Sequence, residues 1–292
     1  MWTYYAFRIA GFTLAYLPKR IGYAIAHFIA DILFRLHPSL RAAVTDNMKH
    51  VLGTEADDAE VKAAARGVLR NSAKNYFDFI QLRRTDLGDI ESHIDVNGWN
   101  NLEHSLEKGK GVILATAHLG SFDTAAQILA ARSIKTTILV EPLEPPALLD
   151  HVTNLRSSNG IAFVPGHDGA LKVLMQAVRR GETVLLACDR DIANNGLRSR
   201  FFGEEVTLPT IAVRLAMRTG AAIVPAFNLR RRNGRYDVYF EPAIDMIPAG
   251  DGAVAKNTDR IARVMEHYIR RSPTQWVVLS PFWASEHHCS GN

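Results

Sequence analysis

Two short runs, VILAT (112–116) and VLLAC (184–188), are apolar on both faces, and they constrain the fold more than any other feature. A strand with no polar face must be covered on both sides, which points to a largely parallel sheet between two layers of helices. The surrounding pattern agrees, because strand-like and helix-like segments alternate from His93 onward. Strands are predicted at Ile94–Val96, Val112–Thr116, Thr137–Val140, Ile161–Val164, Thr183–Cys188, Ala222–Phe227 and Tyr236–Glu241. Helices are predicted near 121–132, 145–158, 167–180 and 209–219, with a final one over 254–271. AIVPAFNLRRRNGRYDVYFE (222–241) reads differently: Asn233-Gly234 between two strand-like runs is a hairpin signal, so an antiparallel pair is expected at the sheet's edge. The expected fold is therefore α/β: a mostly parallel central sheet flanked by helices, an antiparallel edge hairpin, and an N-terminal amphipathic helical region.

That N-terminal region is greasy and basic. MWTYYAFRIAGFTLAYL is followed by Lys19-Arg20 and then IGYAIAHFIADILF, with Arg8 and Asp31 interrupting runs already short of the roughly twenty apolar residues needed to span a bilayer. A second apolar stretch after a weakly charged start also argues against a cleaved leader. The pattern fits a pair of interfacial helices on a membrane surface, or a helical layer packed on the following domain. Six basic residues face two acidic ones in the first fifty positions, so the chain's whole net charge of +4 sits there. Basic side chains are worth about 1 kcal/mol each near anionic lipid. A nucleic-acid-binding protein would carry its basic patch on the folded domain instead. A further helix is predicted from Asp57 to Arg83, started by an Asp57/Glu60 capping box, with Val61, Ala65, Val68, Ser72, Tyr76 and Phe79 on one face. TDLGDI (85–90) breaks it, and the boundary falls there: a helical membrane-associating region over 1–88 and an α/β domain over 89–292.

The two cysteines, Cys188 and Cys289, form no C-x-x-C pair and suggest neither a disulfide framework nor a zinc finger. No G-x-S-x-G elbow, phosphate-binding P-loop, G-x-G-x-x-G or H-E-x-x-H occurs. His287-His288-Cys289 lacks a partner motif and reads as a tail.

The candidate site is ATAHLGSFD (115–123), where a strand ends, His118 follows, and a helix begins near Ser121. Ligands of open α/β sheets bind at the carboxyl ends of strands. A histidine there, with Asp123 five residues on, makes a candidate dyad in which His118 accepts a proton and Asp123 holds the imidazole tautomer. A positioned base of this kind contributes about 10²–10⁴-fold. Backbone N–H groups of Gly120, Ser121 and Phe122 are candidates to stabilise an oxyanion or a phosphate. Spacing alone is weak: with 11 histidines and 30 acidic residues in 292, about one such pair arises by chance, and His50/Glu55 reads as that accident. Strand-end placement is what distinguishes His118.

HLGSFD at a strand end resembles the His-x-x-x-x-Asp/Glu motif of the glycerolipid acyltransferase superfamily, and within it the lipid A lauroyl/myristoyl and phosphatidylinositol mannoside acyltransferases. NMKHVLG (47–53), LRSSNGIAFVP (155–165), the stretch from Cys188 to Phe227 and QWVVLSPFW (275–283) are similar to further blocks of that branch, so the likeness covers most of the chain. Lipid A enzymes usually carry glutamate where Asp123 stands, and the F-P-E-G-T block of the glycerol-phosphate enzymes is missing, which favours the glycolipid branch. The resemblance implies O-acyl transfer from an acyl carrier protein or coenzyme A thioester to a glycolipid or lysolipid hydroxyl, with no metal or redox cofactor; the charge distribution already argues against a nucleic-acid partner. It also implies residence on the membrane surface, peripheral or monotopic, at the cytoplasmic face of a bacterial inner membrane. Arg156, Arg190 and Arg198 are implied to bind phosphates, and arginine's planar fork suits that work. Asp189 and Asp191 are implied to bind sugar hydroxyls or orient Arg190, or else to form a salt-bridged loop. Gly203 is expected to serve a turn, and Arg230, Arg231, Arg232 and Arg235 to line a solvated edge or else to contact a phosphate or the carrier protein. An acyl thioesterase, with water as acceptor, and a non-catalytic lipid-binding protein are the alternative functions.

Overall fold

The computed structural model describes residues 14–82, 86–141, 161–166, 169–192 and 194–283. Arg156, the expected helix over 145–158, the start of the first greasy stretch and His287-His288-Cys289 lie outside the described residues.

Three helices open the described chain: α1 (Lys19–Leu36), α2 (Pro38–Leu52) and α3 (Asp58–Gln81). α1 is built inside out. Its inner face is Gly22, Ala26, Ala30 and Phe34, mostly small, while Ile21, Ile25, Phe28, Ile29 and Leu36 face outward, with Phe28 67% exposed. The small face brings α1 onto α3 so closely that a Cβ on Gly22 would lie 2.0 Å from the Phe77 ring. Asp31 is an inward anchor, accepting paired hydrogen bonds from Arg66 (2.6 and 2.5 Å) and Arg70 (2.9 and 2.7 Å) of α3. These bonds hold its carboxyl well below the usual carboxylate range. α3 starts at the expected capping box, with Glu60 N–H donating to Asp57 and Asp57 N–H to Glu60. Its expected apolar face holds through Ser72, but Tyr76 is 61% exposed. Buried Phe77, Asp78, Phe79 and Ile80 take over where the helix passes between α1 and the sheet layer.

The α/β part contains helices α4 (Leu87–His93), α5 (Trp99–Leu106), α6 (Phe122–Ala131), α7 (Ala170–Arg179), α8 (Ile211–Thr219) and α9 (Ala253–Arg271). Its strands are β1 (Ile94–Asn97), β2 (Val112–Thr116), β3 (Thr136–Val140), β4 (Ala162–Pro165), β5 (Thr183–Ala187), β6 (Leu197–Phe201), β7 (Glu204–Leu208), β8 (Ala222–Arg230) and β9 (Tyr236–Phe240). Seven strands form one sheet in the order β1-β9-β8-β2-β5-β3-β4, parallel except for the β8–β9 hairpin. The fold is thus the expected α/β one, with one correction: the hairpin is not the edge. Tyr236, Asp237, Val238 and Phe240 of β9 are buried and need cover, and β1 pairs with β9 in parallel to become the edge strand. β6 and β7 form a separate antiparallel hairpin whose turn residues, Phe202 and Gly203, both have positive φ (52° and 86°), as a two-residue type I′ turn requires.

β2 is buried at every position. Its Val112 and Leu114 join Ile90, Leu102, Ala125, Ile128 and Leu129 from α4, α5 and α6 on one face. Ile113 and Ala115 join α7, α8 and α9 on the other, in a core that continues into α1, α2 and α3. The apolar two-faced strand and its two helical layers thus account for each other, and the N-terminal helices share the core of the sheet.

Candidate active site

β2 and β5 are neighbours, yet the helix leaving β2 (α6) packs on one face and the next helix after β5 (α8) on the opposite face. Such a divergence opens a crevice at the carboxyl ends of the two strands, where open α/β sheets bind ligands. In register, Thr116 faces Ala187, and the Cys188 N–H continues the ladder to the Thr116 carbonyl at 2.8 Å. His118 and Asp189 each lie two residues beyond that pair, so the register alone brings them to the same height.

They meet directly. His118 Nδ1 lies 2.8 Å from Asp189 Oδ1, and the His118 backbone N–H donates to Asp189 Oδ2 at 2.8 Å. A third donor, the Trp276 indole N–H, reaches Oδ2 at 2.9 Å. Asp189 is wholly buried, while the His118 side chain is 24% exposed. Burial pushes the Asp189 carboxyl up, but the His118 charge and the bonds from His118 and Trp276 prevail and hold it below its ordinary value. Burial likewise opposes the imidazolium, and Asp189 outweighs it, so the His118 pKa is raised. With its proton on Nδ1 facing Asp189, the neutral ring has Nε2 as its basic nitrogen. The Phe122 ring stands edge-on to the imidazole at 5.7 Å.

The carboxylate on Nδ1 is therefore that of Asp189, whereas the five-residue spacing points to Asp123. Asp123 occupies the first turn of α6, and its carbonyl accepts from Gln127. A carboxylate there is favoured by the helix dipole.

The His118 loop is clamped at nearly every backbone group. The His118 carbonyl accepts from Val277 N–H (2.8 Å), the Leu119 carbonyl from the Asn228 amide (2.9 Å), and the Gly120 carbonyl from the Asn75 amide (2.6 Å). The Gly120 N–H donates to the Gln275 carbonyl at 3.0 Å, which takes it out of the expected oxyanion donors and leaves Ser121 and Phe122 at the helix start. Gly120 is obligatory here: its φ is +67°, and a Cβ would lie 2.3 Å from the Asn228 carbonyl oxygen. Ser121 is buried, its hydroxyl within reach of Asp78 (3.2 Å) and Thr124 (3.1 Å), so it supports the loop from beneath.

The remaining expected residues divide. Arg190, beside Asp189, pairs with Glu141 at the end of β3 at 3.2 Å, both partly exposed near His118. The Asp191 carboxylate accepts the N–H groups of Asn195 (3.3 Å) and Gly196 (2.8 Å), closing the turn into β6. Arg198 is on the exposed side of the β6–β7 hairpin, 3.5 Å from Glu205. Arg230 overturns the solvated-edge reading: its side chain is 5% exposed and donates to Asp78 (2.5 Å), itself 3% exposed, and to Asn75 (2.7 Å). Arg231 and Arg235 do remain at the surface, bridged to Asp95, with Arg231 also on Asp237. Trp276, Gln275, Asn75 and Asn228 went unrecognised from sequence; the aromatic block QWVVLSPFW was the available signal, and its first two residues are the clamps.

The chain is 31% identical to a phosphatidylinositol mannoside acyltransferase of Mycobacterium tuberculosis over 195 residues, 65% of this chain but only 60% of that protein's length. It is 26% identical to the enzyme of the same name from Mycolicibacterium smegmatis over 243 residues, covering 82% and 78% of the two chains. A lipid A biosynthesis acyltransferase of Haemophilus influenzae is 23% identical over 191 residues, 64% of this chain and 58% of that one. Residues 1–285 match the profile of one family along almost the whole sequence, so the chain belongs to the bacterial lipid A biosynthesis acyltransferase family.

Proposed function

We propose that the protein is an O-acyltransferase that moves a fatty acyl chain from a thioester, on acyl carrier protein or coenzyme A, to a hydroxyl of a lipid A-like or phosphatidylinositol mannoside-like glycolipid. The observation that carries this reading is the His118–Asp189 pair at the carboxyl ends of β2 and β5 in a chain belonging to that family. His118 Nε2 removes the proton of the acceptor hydroxyl as its oxygen attacks the thioester carbonyl carbon. Asp189 holds the tautomer and stabilises the imidazolium. N–H groups at the start of α6 receive the negative oxygen of the tetrahedral species. Its collapse breaks the C–S bond, and the imidazolium returns the proton to the departing thiolate. Neither a metal nor a redox group is required for these steps.

The acceptor is a membrane lipid, and the outward face of α1 suits the headgroup region: Ile21, Ile25, Phe28 and Ile29 flanked by Lys19 and Arg20. Among the described residues no helix is long and apolar enough to cross a membrane. A peripheral or monotopic place at the inner membrane's cytoplasmic face is part of the proposal, because acyl carrier protein and coenzyme A thioesters are cytoplasmic donors. Arg190 is a partly exposed arginine next in sequence to Asp189, and we assign it to a phosphate of the acceptor or donor, released from Glu141 on binding. The test is transfer of a radiolabelled acyl chain to extracted glycolipid. His118→Ala should abolish it with the fold intact by circular dichroism, and retained transfer overturns the mechanism. Free fatty acid formed equally with and without acceptor would instead identify a thioesterase.

A further inference from the structure

The segment Gln275–Val277 lies antiparallel to His118–Gly120, with Leu119 and Trp276 bridged and hydrogen bonds on either side of them. Trp276 is fully buried, packed edge-on against Phe282 and Trp283, and its single polar atom is directed at Asp189 Oδ2. That oxygen also accepts the backbone N–H of His118, while Oδ1 holds the ring. A carboxylate on a short side chain can rotate about its last bond, and with two donors from one residue it could pivot around His118. The indole, anchored in an aromatic cluster on a different segment, supplies the third, independent point. A phenylalanine would keep much of the aromatic contact at the cost of a small cavity, but it would offer Asp189 Oδ2 no donor, so the indole N–H gives position 276 a polar role beside packing.

We propose that Trp276 is a positioning residue of the active site, whose indole N–H locks the Asp189 carboxylate in the pose that holds both the ring and the backbone of His118. This rests on the reading of His118 as the general base. The other charged groups facing His118 are Arg190 and Glu141, on different strand ends and paired with each other, whereas the indole bonds Asp189 Oδ2.

Two measurements test it. Trp276→Phe should lower kcat by about 10–100-fold, the scale of a small misplacement of a catalytic group, with little change in either KM. The acid limb of its kcat/KM profile should move to higher pH, because an Asp189 relieved of one donor attracts the imidazolium more strongly. In the unaltered protein, one of the four indole N–H resonances in a nitrogen-15 spectrum should titrate with the His118 ring midpoint and stop doing so in His118→Gln. This second readout needs neither a folded Trp276 variant nor acyl transfer, so it separates failure of this inference from failure of the proposed activity. Indole resonances that ignore His118, or a folded Trp276→Phe enzyme whose acid limb stays in place, overturn the positioning role.

Discussion

At the residue scale the site turns on which carboxylate serves His118. Asp189 touches Nδ1 and Asp123 is the partner that spacing suggests, so the two asparagine variants should separate. Asp189→Asn is expected to lower kcat by about 10³–10⁴-fold, the cost of losing tautomer control in a comparable triad, whereas Asp123→Asn should cost clearly less. Comparable losses in single-turnover acyl transfer would return Asp123 to the orienting role. The pH dependence has a definite sign. Only neutral His118 can act as base, and its pKa is raised, so kcat/KM should rise with pH through an inflection above the ordinary histidine value of about 6.5. In Asp189→Asn the carboxylate's contribution is gone while burial remains, so any residual activity should have its acid limb below that value. His118 was legible in sequence because a histidine after an apolar strand is a local pattern. Asp189 as its partner was not, because 71 residues and the β2–β5 register intervene, and no local spacing encodes a parallel register. The block NMKHVLG shows the same limit: the Asn47 amide donates to the Val278 and Ser280 carbonyls and accepts from Phe282 N–H, pinning the tail that carries Trp276.

Among the elements, α1 carries two faces of opposite purpose. Ala30 is fully buried and Phe28 largely exposed, only two residues apart. Phe28→Asp should leave the fold intact but weaken binding to anionic phospholipid vesicles by about tenfold or more, since burying a phenylalanine is worth about 1.5–3 kcal/mol. Ala30→Asp, forcing a charge against α3, should unfold the protein instead. Co-sedimentation with vesicles and a thermal melt distinguish the two, and equal vesicle binding by the Phe28 variant would remove this face from the membrane. The long helix α3 was readable because it has enough residues to show a period, and the central strands β2 and β5 because they are uniformly apolar; α2 was not predicted. α4 and α5, with seven and eight residues, were not: α4 buries Ile90 and α5 buries Leu102 and Ser105, too few for a periodic signal. The β6–β7 hairpin, with a period of two in its burial, was not predicted: each strand has only five residues, and charged side chains fill its exposed face.

Across the whole molecule, the helical layer, the sheet and the His118 loop converge on one buried ion pair. Asp78 of α3 accepts from Arg230 of β8, Tyr23 of α1 (2.7 Å), Tyr236 of β9 (3.0 Å) and Ser121 at the foot of α6. The Arg230 backbone is closed on both sides by the Gln275 side chain, whose own carbonyl holds Gly120. Burial and the neighbouring carboxylate push the Tyr23 hydroxyl far above its ordinary range, so it stays a donor at every accessible pH. Helix α1 is thus joined to the His118 loop through a hub whose central ion pair, Asp78–Arg230, is buried. Two buried charges are costly to desolvate, and removing one leaves the other uncompensated. Asp78→Ala should therefore destabilise the fold by about 3–5 kcal/mol in urea denaturation, much more than any single exposed pair such as Arg198–Glu205. Adding Arg230→Met should recover part of that loss, because the stranded guanidinium is then gone. A double variant as unstable as the sum of the singles would show instead that the two residues act independently, and that the link between the layers runs through packing alone.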